Sequence, residues 1–341
     1  MLDQLTREHR AVLSLLLCPV LVVLILSHEA IAQQQEPGKQ KAGKKRQSAK
    51  KVVDVDNLSF ANSTAKVYKT VDDVRLKAHM FYPEEYNHGA KGKSLPAIVF
   101  FFGGGWNTGS PAQFEQHCRY LAARGMIAIT ADYRVASRQG VKAKSCVADA
   151  KSAVRWMRTN AKDLGIDPTR IVVGGGSAGG HIAACTGVIS GLEDDGEDLS
   201  VSSRPDAMAL FNPALVLAPV SGFEANAAKL ESFKSRTGVA LEKISPLHQL
   251  EPGAPPAIIF HGTKDTTVPF QTAQLFAQAM KNNGDRCELD AYDSQGHGFF
   301  NFRKGKSKEN FRATVESLDR FLVSLGYLEE SKSDSAKQIL Q

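Results

Sequence analysis

The sequence predicts an α/β fold: a mostly parallel central sheet of about eight strands, helices on both faces, and a small helical insertion. Short runs that are apolar throughout, the pattern of strands covered on both sides, recur at residues 97–102, 126–130, 170–174, 208–211 and 257–261. Between them lie longer stretches of helical periodicity at 111–124, 143–160, 178–190 and 270–283. Strands that alternate with helices form parallel sheets, because each crossover helix covers the sheet it leaves.

Taken in order, the chain opens on a segment that precedes the fold. Residues 11–26 are aliphatic except for Ser14, Cys18 and Pro19; Arg7 and Arg10 stand before them and Ala30-Ile31-Ala32 after them. A basic start, a short apolar run and small residues at a cleavage site describe a secretory signal spanning 1–32, cut after Ala32. The expected location is therefore secreted or periplasmic, with an uncleaved N-terminal membrane anchor as the alternative. Lipidation at Cys18 is disfavoured, since that cysteine lies within the apolar run rather than after it.

The net charge of +6 is carried by the next segment, where Lys39, Lys41, Lys44, Lys45, Arg46, Lys50 and Lys51 face the single acid Glu36. Residues 33–57 read as a basic disordered linker, poor in groups that could bury themselves. A solvated spacer is the plainer reading, and weak association with an acidic polymer or membrane surface the other. The body beyond it is nearly neutral, so nothing there points to nucleic acid.

The catalytic domain is expected over 58–328, followed by a flexible tail at 329–341. It should begin with an antiparallel hairpin, 66–70 and 76–82, turning at Asp72-Asp73. The polar stretch 192–205 holds five acids in a spacing unlike a calcium loop and reads as exposed. Residues 213–256 exceed a simple crossover and should form a helical excursion at the C-terminal edge of the sheet, where crevices of open α/β sheets lie. Residues 287–292 supply the last strand and 311–325 a closing helix. The cysteines downstream of the signal, Cys118, Cys146, Cys185 and Cys287, are too sparse for a disulfide scaffold. No CxxC or His/Cys cluster suggests a metal, and no cofactor is expected.

The chemistry gathers where strands end. Gly175-Gly176-Ser177-Ala178-Gly179 follows one predicted strand and opens a helix, the setting in which a GxSxG run presents a nucleophile on a tight turn. A serine hydroxyl needs a base, and the base an orienting acid. Of the histidines well beyond Ser177, His248 lies in the insertion and His261 ends a strand, whereas His297 sits in the loop after the last strand. His297 is thus the candidate base. Asp265, in the loop after 257–261, is the candidate acid, with Asp293 as rival. Phe102-Gly103-Gly104-Gly105-Trp106 ends another strand; its glycines let backbone N–H groups reach a substrate oxygen. Gly103, Gly104 and Ala178 are the expected oxyanion donors. Trp106 is a candidate for lining the substrate pocket, with plain packing as its alternative.

These four motifs, in this order, resemble the α/β-hydrolase esterases related to hormone-sensitive lipase and to acetyl xylan or feruloyl esterases. The resemblance runs from about residue 66 to 325 and implies carboxylic ester hydrolysis. One position departs from it: Phe102 stands where the usual His-Gly-Gly-Gly begins, so hydrogen bonds from that histidine to the loop are missing. Export and a modest insertion favour short acyl esters, acetyl-type and carried on polysaccharide among them. A serine exopeptidase of the prolyl oligopeptidase type is the main alternative, though it normally needs a large extra domain. A non-catalytic ligand-binding protein on the same fold is the other.

Overall fold

A computed structural model of the chain describes residues 54–84, 86, 94–224, 226–330, 336, 338 and 339. The expected signal at 1–32 and almost all of the linker and tail lie outside the described residues. The sheet has eight strands: β1 (Thr64–Val71), β2 (Val74–Phe81), β3 (Leu95–Phe101), β4 (Ile127–Ala131), β5 (Ile166–Gly176), β6 (Ala207–Phe211), β7 (Ala257–Gly262) and β8 (Cys287–Tyr292). Their spatial order is β1-β2-β4-β3-β5-β6-β7-β8. From β4 to β8 every pair is parallel, while β1 and β2 join as the antiparallel edge. The hairpin turns at Asp72-Asp73 with Val71 opposite Val74; Asp72 takes φ 50°, a left-handed state that a short polar side chain tolerates.

The helices are α1 (Glu115–Ala123), α2 (Ala136–Gln139), α3 (Ala143–Thr159), α4 (Ala161–Leu164), α5 (Ala178–Val188), α6 (Ala227–Thr237), α7 (Leu241–Ile244), α8 (Phe270–Asn282) and α9 (Glu309–Ser324). Period-two alternation in the strands divides the core. Ala97, Val99 and Phe101 of β3 join Val147 of α3, Ile182 of α5 and Phe276 of α8 on one face. Ile98 and Phe100 face the other way, with Leu121 of α1 and Leu318 of α9. Burial of whole strands on both sides explains why they read as unbroken apolar runs. Among the described residues no helix is long and apolar enough to cross a membrane.

The strand expected at 170–174 is longer at both ends. β5 begins at Ile166 and continues through Gly175 and Gly176, which pair with Leu210 and Phe211 of β6. Glycines that looked like loop are thus the last rungs of a ladder.

The acidic stretch also departs from a plain exposed loop. Asp195 and Asp198 are exposed, but Glu193, Asp194 and Glu197 are half-buried against cations. Lys151 meets Glu193 at 2.9 Å and Arg155 meets Glu197 at 3.0 Å. Lys69 and Arg134 bridge Asp194 to Asp149, which is fully buried. Four cations and four anions therefore clip the segment onto α3.

Candidate active site

The geometry of the sheet brings four strand ends together. The crossover from β3 leads to β4 on one side while that from the neighbouring β5 leads to β6 on the other, so a crevice opens between the ends of β3 and β5. Ser177 follows β5 with φ 56° and ψ −116°, a strained conformation held because its own N–H donates to Phe211 O at 2.8 Å and His181 N–H donates to Ser177 O at 2.9 Å. The small residue two positions on is obligatory. A Cβ at Gly179 would stand 2.0 Å from Phe101 O and 2.4 Å from Phe102 O, so no side chain fits where α5 crosses the end of β3.

His297 reaches the serine from the loop after β8. Its Nε2 lies 2.9 Å from Ser177 Oγ and its Nδ1 2.7 Å from Asp265 Oδ2. Asp265 follows β7 and is buried. Its Oδ1 accepts the N–H groups of Thr267 (2.8 Å) and Val268 (2.9 Å), and its Oδ2 also accepts from Asn212 Nδ2. Burial alone would raise the pKa of this carboxyl, but the hydrogen bonds from His261, His297 and Val268 outweigh it and hold the group well below the usual carboxylate range. A carboxylate that stays ionised fixes the imidazole's Nδ1–H toward itself and leaves Nε2 free to accept from the serine. Asp293, the rival acid, is exposed and bonded to Thr263 and Ser294 instead. His261 donates to Val268 O at 2.9 Å, which braces the same turn.

The glycine loop requires a correction. Gly103 was expected to donate to a substrate oxygen, yet its N–H is already bonded to Gln113 Oε1 at 2.6 Å. Among the described residues, the N–H groups of Gly104, Gly105 and Ala178 have no such acceptor. The loop turns through φ 136° at Gly104 and 64° at Gly105, and Ala178 is the first residue of α5, where N–H groups are unpaired by construction. The available donors are therefore shifted one residue along the loop.

Phe102 is fully buried; its ring stacks on Tyr133 at 4.1 Å, and Tyr133 Oη donates to Phe102 O at 2.6 Å. Tyr133 and Gln113 thus hold the loop where the usual histidine is missing.

Trp106 also departs from the expected pocket lining. Only 3% of it is exposed; Nε1 donates to His181 Nδ1 at 3.1 Å, and Phe233 of α6 meets its ring edge-on. His181 in turn donates from Nε2 to Ile244 O at 2.7 Å, and burial pushes its pKa down to about 4, keeping it neutral. Trp106 is the joint between the oxyanion loop and the insertion.

Two residues escaped the sequence reading. Asn212, at the end of β6, steadies Asp265. Gln113 accepts from Gly103 and donates from Nε2 to Asn301 Oδ1 at 2.8 Å, and Asn301 Nδ2 donates to Gly298 O at 2.9 Å, next to His297. One side chain therefore ties the oxyanion loop to the base loop. Among the described residues no group of His, Cys, Asp or Glu is placed to hold a metal ion, and the four described cysteines are buried and unpaired.

A family model described as BD-FAE matches residues 85–280. The chain belongs to the BD-FAE family. The BD-FAE match takes in the glycine loop, Ser177 and Asp265 and ends before His297. The chain is 31% identical over 216 residues, 59% of its length and 50% of the other, to a probable isoprenylcysteine alpha-carbonyl methylesterase of Oryza sativa subsp. japonica. It is 28% identical to the esterase LipC of Mycobacterium tuberculosis, over 61% of this chain and 54% of that one. The chain thus spans about half the length of these curated relatives. Among solved structures, the apo form of Thermogutta terrifontis esterase 2 is 48% identical with a TM-score of 0.75, covering 80% of this chain and 98% of that one. Structures of the same esterase carry bound propionate, bound butyrate, or a phosphonyl group from sarin. This BD-FAE member therefore has the α/β-hydrolase fold of the esterases.

Proposed function

We propose that this protein is a carboxylic ester hydrolase working through an acyl-enzyme on Ser177, with short acyl esters as substrates. The observation that carries the reading is the continuous hydrogen-bonded line from Asp265 through His297 to Ser177, beside unpaired backbone donors. His297 Nε2 takes the proton from Ser177 Oγ as the oxygen attacks the ester carbonyl. The oxyanion is held by the N–H groups of Gly104, Gly105 and Ala178, while Asp265 stabilises the imidazolium. Collapse of the intermediate breaks the C–O bond to the alcohol, which leaves with the proton from His297. Water then enters and gives its proton to the same nitrogen as its oxygen attacks the acyl carbon; the bond to Ser177 Oγ breaks, the acid leaves, and His297 returns the proton to Ser177.

Short acyl groups are favoured by the propionate and butyrate complexes of the Thermogutta esterase. Acetyl groups on polysaccharide belong to the same size class and suit an exported enzyme. The test is a panel of acetyl, propionyl, butyryl and octanoyl 4-nitrophenyl esters plus acetylated xylan, run on wild type and Ser177→Ala. The expected result is turnover that declines beyond butyryl and falls about a millionfold in the variant. Retained turnover in Ser177→Ala would remove the serine from the mechanism. Export is part of the proposal, supported by the apolar run 11–26 and Ala30-Ile31-Ala32; a mature protein beginning at Gln33 supports it, and an intact N-terminus opposes it.

A further inference from the structure

α6 is tied to two of the loops that build the site, through two cations that make no hydrogen bond to Ser177, His297 or Asp265. Near its start Lys229 Nζ donates to Thr267 O, on the turn whose N–H groups hold Asp265. Near its end Arg236 Nη1 donates to Gly105 O at 3.3 Å, and the guanidinium stands 5.3 Å from the centre of the Trp106 ring. These anchor points follow β7 and β3, with β6 and β5 between them. Three strand spacings amount to about 14 Å, and seven helical residues rise about 10 Å. Two long side chains make up the difference, so the helix spans the strand ends between its anchors, Ser177 included. Residues seven apart share a helix face, and buried Phe233 on that face packs against Trp106.

Neither cation sits in an ion pair, although the charge of the Asp265 carboxylate acts on Lys229 and the two cations repel each other. Among the described residues no carboxylate forms a salt bridge with Lys229 or Arg236, whereas Lys234 of the same helix is exposed and pairs with Glu231 at 2.6 Å. Arg236 Nε donates to Ser232 O at 2.9 Å, and among the described residues Nη2 has no acceptor. Both groups are half-buried, and burial lowers the pKa of each. A partly desolvated cation with free donors at a crevice mouth binds an anion that brings its own charge.

We propose that Lys229 and Arg236 form an anion clamp and that the preferred substrates are esters bearing a carboxylate or sulfate on the acyl or the alcohol part. This rests on the ester-hydrolase reading. Two pairs of substrates distinguish where the charge sits: 4-nitrophenyl hemiglutarate against its methyl ester, and 3-carboxyphenyl acetate against its methyl ester. The expected result is a higher kcat/KM for the charged member of at least one pair, with that ratio falling about tenfold in Lys229→Gln/Arg236→Gln. In wild type the same ratio should fall as NaCl is raised, and Lys234→Gln should leave it unchanged. A ratio that neither the double variant nor salt moves in either pair overturns the clamp. A binding arm separates this from the chemistry. Ser177→Ala protein titrated calorimetrically should bind monomethyl glutarate more tightly than dimethyl glutarate, and equal binding overturns the clamp whatever the fate of the esterase reading.

Discussion

At the scale of single residues, Gln113 shows how a missing group is replaced by another in a different place. The loop lacks a histidine before its glycines, and Gln113 accepts from Gly103 while donating to Asn301, whose amide holds Gly298 beside His297. On the proposed mechanism, the oxyanion donors and the base are thereby set relative to each other, which would matter most when charge develops in the transition state. Gln113→Ala should lower kcat about tenfold to a hundredfold with little change in KM, and Gln113→Glu, which keeps the acceptor for Gly103, should recover part of the loss. Steady-state kinetics on a short acyl ester reads this directly; a rise in KM with kcat preserved would make Gln113 a binding residue instead. The triad itself was legible because Ser177, Asp265 and His297 each follow a recognisable strand in the required order. Gln113 and Asn212 were not, since their partners lie 188 and 53 residues away and nothing local marks them. For the same reason Gly103 was misassigned: three adjacent glycines do not reveal which N–H another side chain has captured.

At the scale of elements, apolar runs identified the five central strands β3 to β7 because both faces of each are covered, whereas β1, β2 and β8 were read from their places at the two ends of the fold; helix periodicity placed α3, α5, α8 and α9 within a residue or two. Charge-rich segments were less legible. Residues 193–197 read as solvated because their cationic partners come from β1, α3 and the loop after β4, which are brought together by folding alone. Asp149 is the centre of that cluster, fully buried between Lys69 and Arg134 and also accepting Arg134 N–H at 3.0 Å. Removing one member of a buried ion pair leaves the other uncompensated, which costs about 3 to 5 kcal/mol. Asp149→Ala should lose stability on that order in urea denaturation. A loss within about 0.5 kcal/mol, the range of ordinary surface substitutions, would mean that water reaches the cluster and screens it.

At the scale of the whole molecule, His117 gathers distant parts of the chain around one buried ring. Its neighbours are Phe100 of β3, Phe114 of the turn before α1, Phe211 of β6, Phe300 of the base loop and Phe311 of α9, at centroid distances of 4.8 to 6.3 Å. Among the described residues neither ring nitrogen has a hydrogen-bond partner, and burial pushes the pKa from 6.5 down to about 3. His79 and His181, also buried, are both lowered to about 4 by desolvation. Each is neutral in the folded chain and takes a proton in the unfolded chain below about 6.5, so the unfolded state binds more protons across that window. Stability is therefore full above pH 6.5 and falls as pH drops from there toward 4 and 3. For His117 alone the loss at pH 5 is about 2 kcal/mol. His117→Leu removes the titrating group and the two orphaned nitrogens while keeping an apolar side chain among the phenylalanines. Urea denaturation at pH 7.5 and pH 5 should show the variant losing less stability between the two than wild type by about that amount. An identical drop in both proteins would mean that the ring finds a proton acceptor within the phenylalanine cage, and that the acid sensitivity of this fold lies in other groups.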